Sequence, residues 1–164
     1  MKLFRIFSVL PSLFFTAACA AGLSHVDNCE VGCPTGGSDQ TLVREAYTLN
    51  NNSHRKFANW VAYKITKASL ASGRSRSWKR DPDLPAADTL APAAYKGASA
   101  ALAVDRGHQA PLAGLGASAD WPALNYLSNI TPQASDLNQG AWARLEDKER
   151  ALAERRDVAA VWSV

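Results

Sequence analysis

The sequence predicts an α+β fold in which an antiparallel sheet is followed by a two-strand unit closed by a helix. Three observations carry this reading. Residues 56–66 place Phe57, Val61, Tyr63 and Ile65 on one face and Ala58, Trp60 and Ala62 on the other, the alternation of a strand covered on both sides. Asp136 followed by Gln139 forms a capping-box start for a run with helical spacing. Two short apolar runs, 101–105 and 124–131, precede that helix and are separated by a loop from Pro111 to Pro122. A length of 164 residues suits one domain with a real core.

The N-terminus reads as a leader. Lys2 and Arg5 give a basic start, residues 3–18 are largely apolar, and Ala18-Cys19-Ala20 supplies small residues for cleavage. Residues 1–20 are therefore expected to be a signal peptide, and residues 21–164 a secreted chain, extracellular or periplasmic. A membrane anchor would need ~20 continuous apolar residues, more than this run offers. A lipoprotein using Cys19 is the weaker alternative, because Thr16 stands where leucine is usual. The formal charge of +3 includes Lys2 and Arg5, so the rest is close to neutral. That excludes a protein that coats polyanions through its overall field; anion affinity must come from local clusters. Once Cys19 leaves, Cys29 and Cys33 remain as a pair in an oxidising compartment, and a small structural disulfide is expected. A zinc knuckle would need two more ligands, which His25 and His54 do not supply convincingly.

The elements follow in order. Residues 21–41 are rich in Gly, Ser, Asp and Pro and read as an irregular arm. Residues 42–49 read as a strand, Asn50 to Ser53 as a turn, and 56–66 as the second arm of a hairpin. From 69 to 100 the prolines Pro82, Pro85 and Pro92 predict a long loop, in which Arg74, Arg76, Lys79 and Arg80 surround Trp78. The 101–105 strand delivers Arg106 and His108 to its end, and 124–131 pairs with it antiparallel. In the following helix Ala141, Trp142, Leu145 and Leu152 share the predicted core face, with Asp147, Lys148, Arg155 and Arg156 solvated. Residues 158–164 open a last strand.

The chemistry concentrates in Asp105-Arg106-Gly107-His108 and in Asn138 to Glu146. His108 is the candidate general base, because an imidazole titrates near neutrality and can take a proton from water. A lone histidine is more often satisfied by a backbone carbonyl; the adjacent Arg106 and downstream Asn138 reverse that preference. Asn138 offers a neutral oxygen suited to Mg²⁺, with Mn²⁺ the alternative ion. From local sequence alone an asparagine in a first helical turn is more readily one that bonds to the backbone. Arg106 and Arg76 are candidates for phosphate, since a guanidinium presents paired donors and stays charged. Asp105 is expected to brace the strand end and Arg106, Gly107 to allow a tight backbone path, and Asn129 to orient the site by hydrogen bonds. Trp78 either stacks on a base or packs in the core; Trp142 packs in the core.

Asp105 to Pro111, Asn125 to Gln133, Leu137 to Glu146, and upstream Asn28-Cys29 and Phe57-Ala58-Asn59-Trp60 together resemble the DNA/RNA non-specific endonucleases of the ββα-metal (His-Me) class. The resemblance covers nearly all the chain after the leader. It implies that His108 activates the attacking water and that Asn138 holds Mg²⁺. It further implies that Arg76 and Arg106 hold the scissile phosphate, Glu146 orients water at the ion and Arg150 contacts phosphate. On local sequence Glu146 and Arg150 are equally an i, i+4 surface ion pair. DNA and RNA are the implied substrates, with 5′-phosphate products and little sequence preference, and a homodimer is the implied assembly. Relatives of this type continue past the helix with further elements, so residues 21–164 are expected to be the N-terminal and central part of such a domain, truncated at the C-terminus. The alternative is an inactive nucleic-acid-binding remnant.

Overall fold

The computed structural model describes residues 28–30, 32–36 and 40–164. The predicted leader lies outside them. The fold is α+β. A four-stranded antiparallel sheet has the order β1 (Thr41–Val43), β2 (Thr48–Asn52), β3 (Phe57–Ile65), β6 (Val161–Ser163). A separate antiparallel pair is formed by β4 (Val104–His108) and β5 (Ile130–Ala134), with Arg106 opposite Pro132 and His108 opposite Ile130. Among the described residues no helix is long and apolar enough to cross a membrane. Cys29 and Cys33 are joined by a disulfide.

β3 forms as its alternation predicts, and both its faces are covered: Ala58, Val61, Ala62, Tyr63 and Ile65 are buried. Ala58, Val61, Tyr63 and Ile65 pack with Tyr47, Leu49, Leu84, Leu115 and Leu124 in the main core. The expected strand 42–49 is instead broken into β1 and β2 by a turn at Arg44–Tyr47, and the expected turn at 50–53 begins only after β2. The cause is distant in sequence. Asp120 accepts from the backbone N–H groups of Glu45 (3.0 Å) and Ala46 (3.1 Å), which a continuing strand would have pointed elsewhere. The turn is also pinned by a buried ion pair from Arg44 to Asp81 at 2.7 Å.

The loop after β3 holds a short helix, α1 (Ala98–Leu102), and β4 starts after it, three residues later than expected. The segment expected as loop contains α2 (Leu112–Leu115). The expected strand 124–131 is mostly two 3₁₀ turns, Trp121–Asn125 and Leu127–Asn129, and only then β5. Buried Asn129 explains the departure. Its side chain accepts from Ala110 N–H and donates to the Ala110 and Leu124 carbonyls, doing the work of a ladder partner.

The closing helix differs most. It runs through α3 (Ser135–Leu137), a π-helical turn at Asn138–Trp142, and α4 (Ala143–Ala153). No capping box forms; the Asp136 carboxylate accepts from the next N–H, and Gln139 reaches Asp105 instead. Leu145, expected on the core face, is 47% exposed, whereas Glu149 and Ala153 are buried. The carboxylate of Glu149 is satisfied by the Tyr63 hydroxyl (3.2 Å) and by Ser163 (2.5 Å), and so joins α4 to β3 and β6.

Gly107 is required by close packing. A Cβ there would lie 2.3 Å from Gln133 Oε1 and 2.8 Å from its Cβ. Gly107→Ala should therefore cost about 1–3 kcal/mol through overpacking, read as a lower urea midpoint with an unchanged m-value.

Candidate active site

β4, the loop carrying Arg76 and Trp78, α1 and the π-turn with the start of α4 enclose a cleft of about 610 Å³ lined by Arg76, Trp78, Tyr95, Ala98, Ser99, Val104, Asp105, Arg106, His108, Asn138, Gln139, Ala143 and Glu146. Six of the predicted site residues thus meet: His108, Arg106, Arg76, Asn138, Glu146 and Asp105. Arg150 and Asn129 are not on this lining. Arg150 pairs with Asp147 and lies 4.0 Å from Glu146. Asn129 sits beneath the segment that follows His108, where it fixes Gln109 and Ala110.

The π-turn explains how Asn138 and Glu146 share the cleft. Eight residues at about 100° each, the α-helical rotation, would leave them roughly 80° apart around the axis. A π-turn closes i→i+5 bonds in place of i→i+4 ones and so winds less per residue, which reduces that offset. The amide and the carboxylate are thereby brought to one side. The same rephasing lets Trp142, expected in the core, lie half-buried and donate its indole N–H to the His108 carbonyl at 3.1 Å.

Asp105 braces the helix rather than Arg106. One carboxylate oxygen accepts from Ser135 (3.0 Å), and the other from Asn138 Nδ2 (3.0 Å) and Gln139 Nε2 (2.9 Å). These donors, Gln139 foremost, hold its carboxyl below the usual range. With Nδ2 committed to Asp105, the Asn138 amide oxygen is left as the acceptor. Among the described residues no group of three His, Cys, Asp or Glu side chains is gathered as a metal set. One neutral oxygen with a carboxylate in the same cleft fits a hard, strongly hydrated cation that takes few protein ligands.

His108 is half-buried, with Nε2 3.2 Å from Asn125 Oδ1. Asn125 donates its own amide N–H to the Ser75 carbonyl at 3.1 Å, so Oδ1 must face the ring and accept. The proton is thereby assigned to Nε2 and the lone pair to Nδ1. Burial lowers the imidazole from near 6.5 to about 4; the Asn125 bond opposes this, and the charge of Arg76 adds to it. Burial likewise raises the Glu146 carboxyl, against the pull of Arg150. Asn125 was missed as a functional residue. Its only signal was a place inside the matching motif.

Of the four cations around Trp78, Arg76 alone lines the cleft. Arg74 lies over the Trp121 ring at 4.7 Å and donates to the Gly116 carbonyl, and Arg80 donates to the Ala86 and Thr89 carbonyls.

An antiparallel strand pair crossed by a helix, with an imidazole on the strand and an amide at the helix start, defines the ββα-metal class. The chain belongs to the DNA/RNA non-specific endonuclease family, whose model matches residues 24–163. It is 63% identical over 161 residues to a nuclease of Serratia marcescens, covering 98% of this chain and 60% of that protein. It is 32% identical to bovine mitochondrial endonuclease G over 90% of this chain and 51% of the relative. The fold is similar to that in a crystal structure of an EndoG/EndoGI complex, with a TM-score of 0.67 at 24% identity, covering 80% of this chain and 53% of that one. The chain therefore spans about half to three-fifths of these relatives.

Proposed function

We propose that this protein is an exported Mg²⁺-dependent endonuclease that hydrolyses phosphodiester bonds of DNA and RNA with little sequence preference. The observation that carries it is the shared cleft in which a lone-pair-bearing imidazole, two arginines and an amide oxygen converge. His108 Nδ1 takes the proton of the attacking water; the bond from Nε2 to Asn125 holds the ring for that transfer. Arg76 and Arg106 hold the phosphoryl oxygens and oppose the charge that builds there. Glu146 holds the water that returns a proton to the departing 3′-oxygen, leaving a 5′-phosphate. Asn138 would hold the divalent ion, which when bound supplies electrostatic stabilisation to the phosphate and leaving oxygen. These groups address phosphate rather than base edges, so sequence preference is weak, and no step calls on a 2′-hydroxyl. The nuclease relatives and the disulfide support the reading, export included.

The test is nicking of supercoiled plasmid and cleavage of single-stranded RNA by this chain, with Mg²⁺ or with EDTA. Cutting of both with Mg²⁺ and none with EDTA is expected; binding without cutting would favour an inactive remnant. The pH–rate profile adds a second criterion. Because His108 is lowered to about 4, the base stays competent through pH 5–6, and the acidic limb should fall near 4. A limb near 6.5 would mean that the ring is solvated during turnover.

A further inference from the structure

The clearest unassigned feature is the setting of Arg106. Its guanidinium carbon lies 5.6 Å from the centre of the Trp78 ring and 5.2 Å from that of Tyr95. Its Nε is buried without a hydrogen-bond partner, and no carboxylate among the described residues pairs with it. The Trp78 ring also meets the His108 ring, with centres 5.3 Å apart and planes tilted by 41°. Both rings are anchored. Tyr95 is buried and donates its hydroxyl to the Ile130 carbonyl at 3.1 Å. The residue after Trp78, Lys79, bonds through its backbone to Asn125 and Leu127.

We propose that Trp78 and Tyr95 are positioning residues that clamp Arg106 for phosphate, and that Trp78 braces His108 at the same time. A carboxylate would also hold an arginine, but it would cancel much of the field that phosphate needs. Ring faces attract the cation through their quadrupole and leave its net charge intact. The unpartnered Nε–H then remains for an anion. One indole in contact with both the base and the phosphate-binding cation sets their relative position, where small displacements cost rate steeply. Trp78 packs against buried Tyr95, Leu127 and Ile130, in line with one of its two sequence expectations, and the clamp is a role beyond either. It rests on the nuclease reading for its catalytic meaning, though not for the clamp itself.

A double-mutant cycle on the full chain tests it, using Trp78→Leu, Arg106→Lys and their combination. Trp78→Leu should lower kcat by roughly 10- to 100-fold with KM changed less than about threefold, and Trp78→Phe should recover most of that loss. On the Arg106→Lys background the same change should cost at least about threefold less than in the parent, because the cation it positions no longer fits the clamp and only the brace on His108 is lost. Losses that multiply independently would overturn the proposal, as would a raised KM at constant kcat, the mark of a ring stacked on substrate bases. If Trp78→Leu does not fold by circular dichroism, Trp78→Met takes its place in the cycle. If the parent chain does not cut, the nuclease reading falls. The clamp is then decided by affinity for a fluorescein-labelled single-stranded oligonucleotide in EDTA. Non-additive losses of affinity support it there, and additive ones overturn it.

Discussion

His108→Ala should lower kcat for plasmid cleavage by about 10²–10⁴-fold while leaving the protein folded. The chemical loss is large because no neighbouring group can substitute. Glu146 is carried by α4 and Asn125 is not a base. The structural loss is small because Trp142 donates to the backbone carbonyl of residue 108, which alanine retains. The bond from Asn125 to Ser75 also survives. A fall of less than about tenfold with an unchanged melt would remove His108 from the base role. The substitution has a second consequence. The folded imidazole is lowered relative to the unfolded one, so as pH drops the unfolded chain takes the proton first. The histidine's contribution to stability is present above about 6.5 and is lost as pH falls towards 4. His108→Ala should flatten that part of the stability–pH curve, as urea midpoints measured from pH 4 to pH 7 would reveal.

Asp81→Ala should destabilise the fold by about 3–5 kcal/mol, the range for removing one partner of a buried ion pair. Asp81 is fully buried. It accepts from Arg44 (2.7 Å), from the Asp83 N–H (3.0 Å) and from the Ser128 hydroxyl. Its loss leaves the Arg44 guanidinium, whose side chain is 7% exposed and lies between the Tyr47 and Tyr126 rings, without its buried charged partner. Asp83 also pairs with Arg44 at 2.8 Å, but its side chain is 59% exposed. Asp83→Ala should therefore cost only about 0–1 kcal/mol. Urea unfolding of the two variants checks both values, and equal effects would show that the burial of Asp81 is not what matters. Because Asp81 joins the β1–β2 turn to the Trp78 loop and to Ser128, its loss should also lower cleavage at temperatures where the wild type is unaffected.

By itself the sequence determined what local periodicity and residue chemistry can express. The alternation of 57–65 specified β3. Runs placed before and after a loop specified that β4 and β5 pair antiparallel, and Cys29 and Cys33 specified their bridge. The residues of the cleft were legible too, because His108, Arg106 and Asn138 keep their chemistry wherever the chain puts them. Tertiary structure decided whatever depended on partners far along the chain. Asp120 broke the expected 42–49 strand from 74 or more residues away, and Asn129 replaced ladder bonds with side-chain ones. Asp105 took Gln139, which would have completed the capping box. Within α4, Glu149 rather than Leu145 is buried, because β3 and β6 cover that turn of the helix and Tyr63 and Ser163 satisfy the carboxylate. In each case a backbone or buried polar group must find a hydrogen-bond partner, and the identity of that partner exists only once the chain is packed.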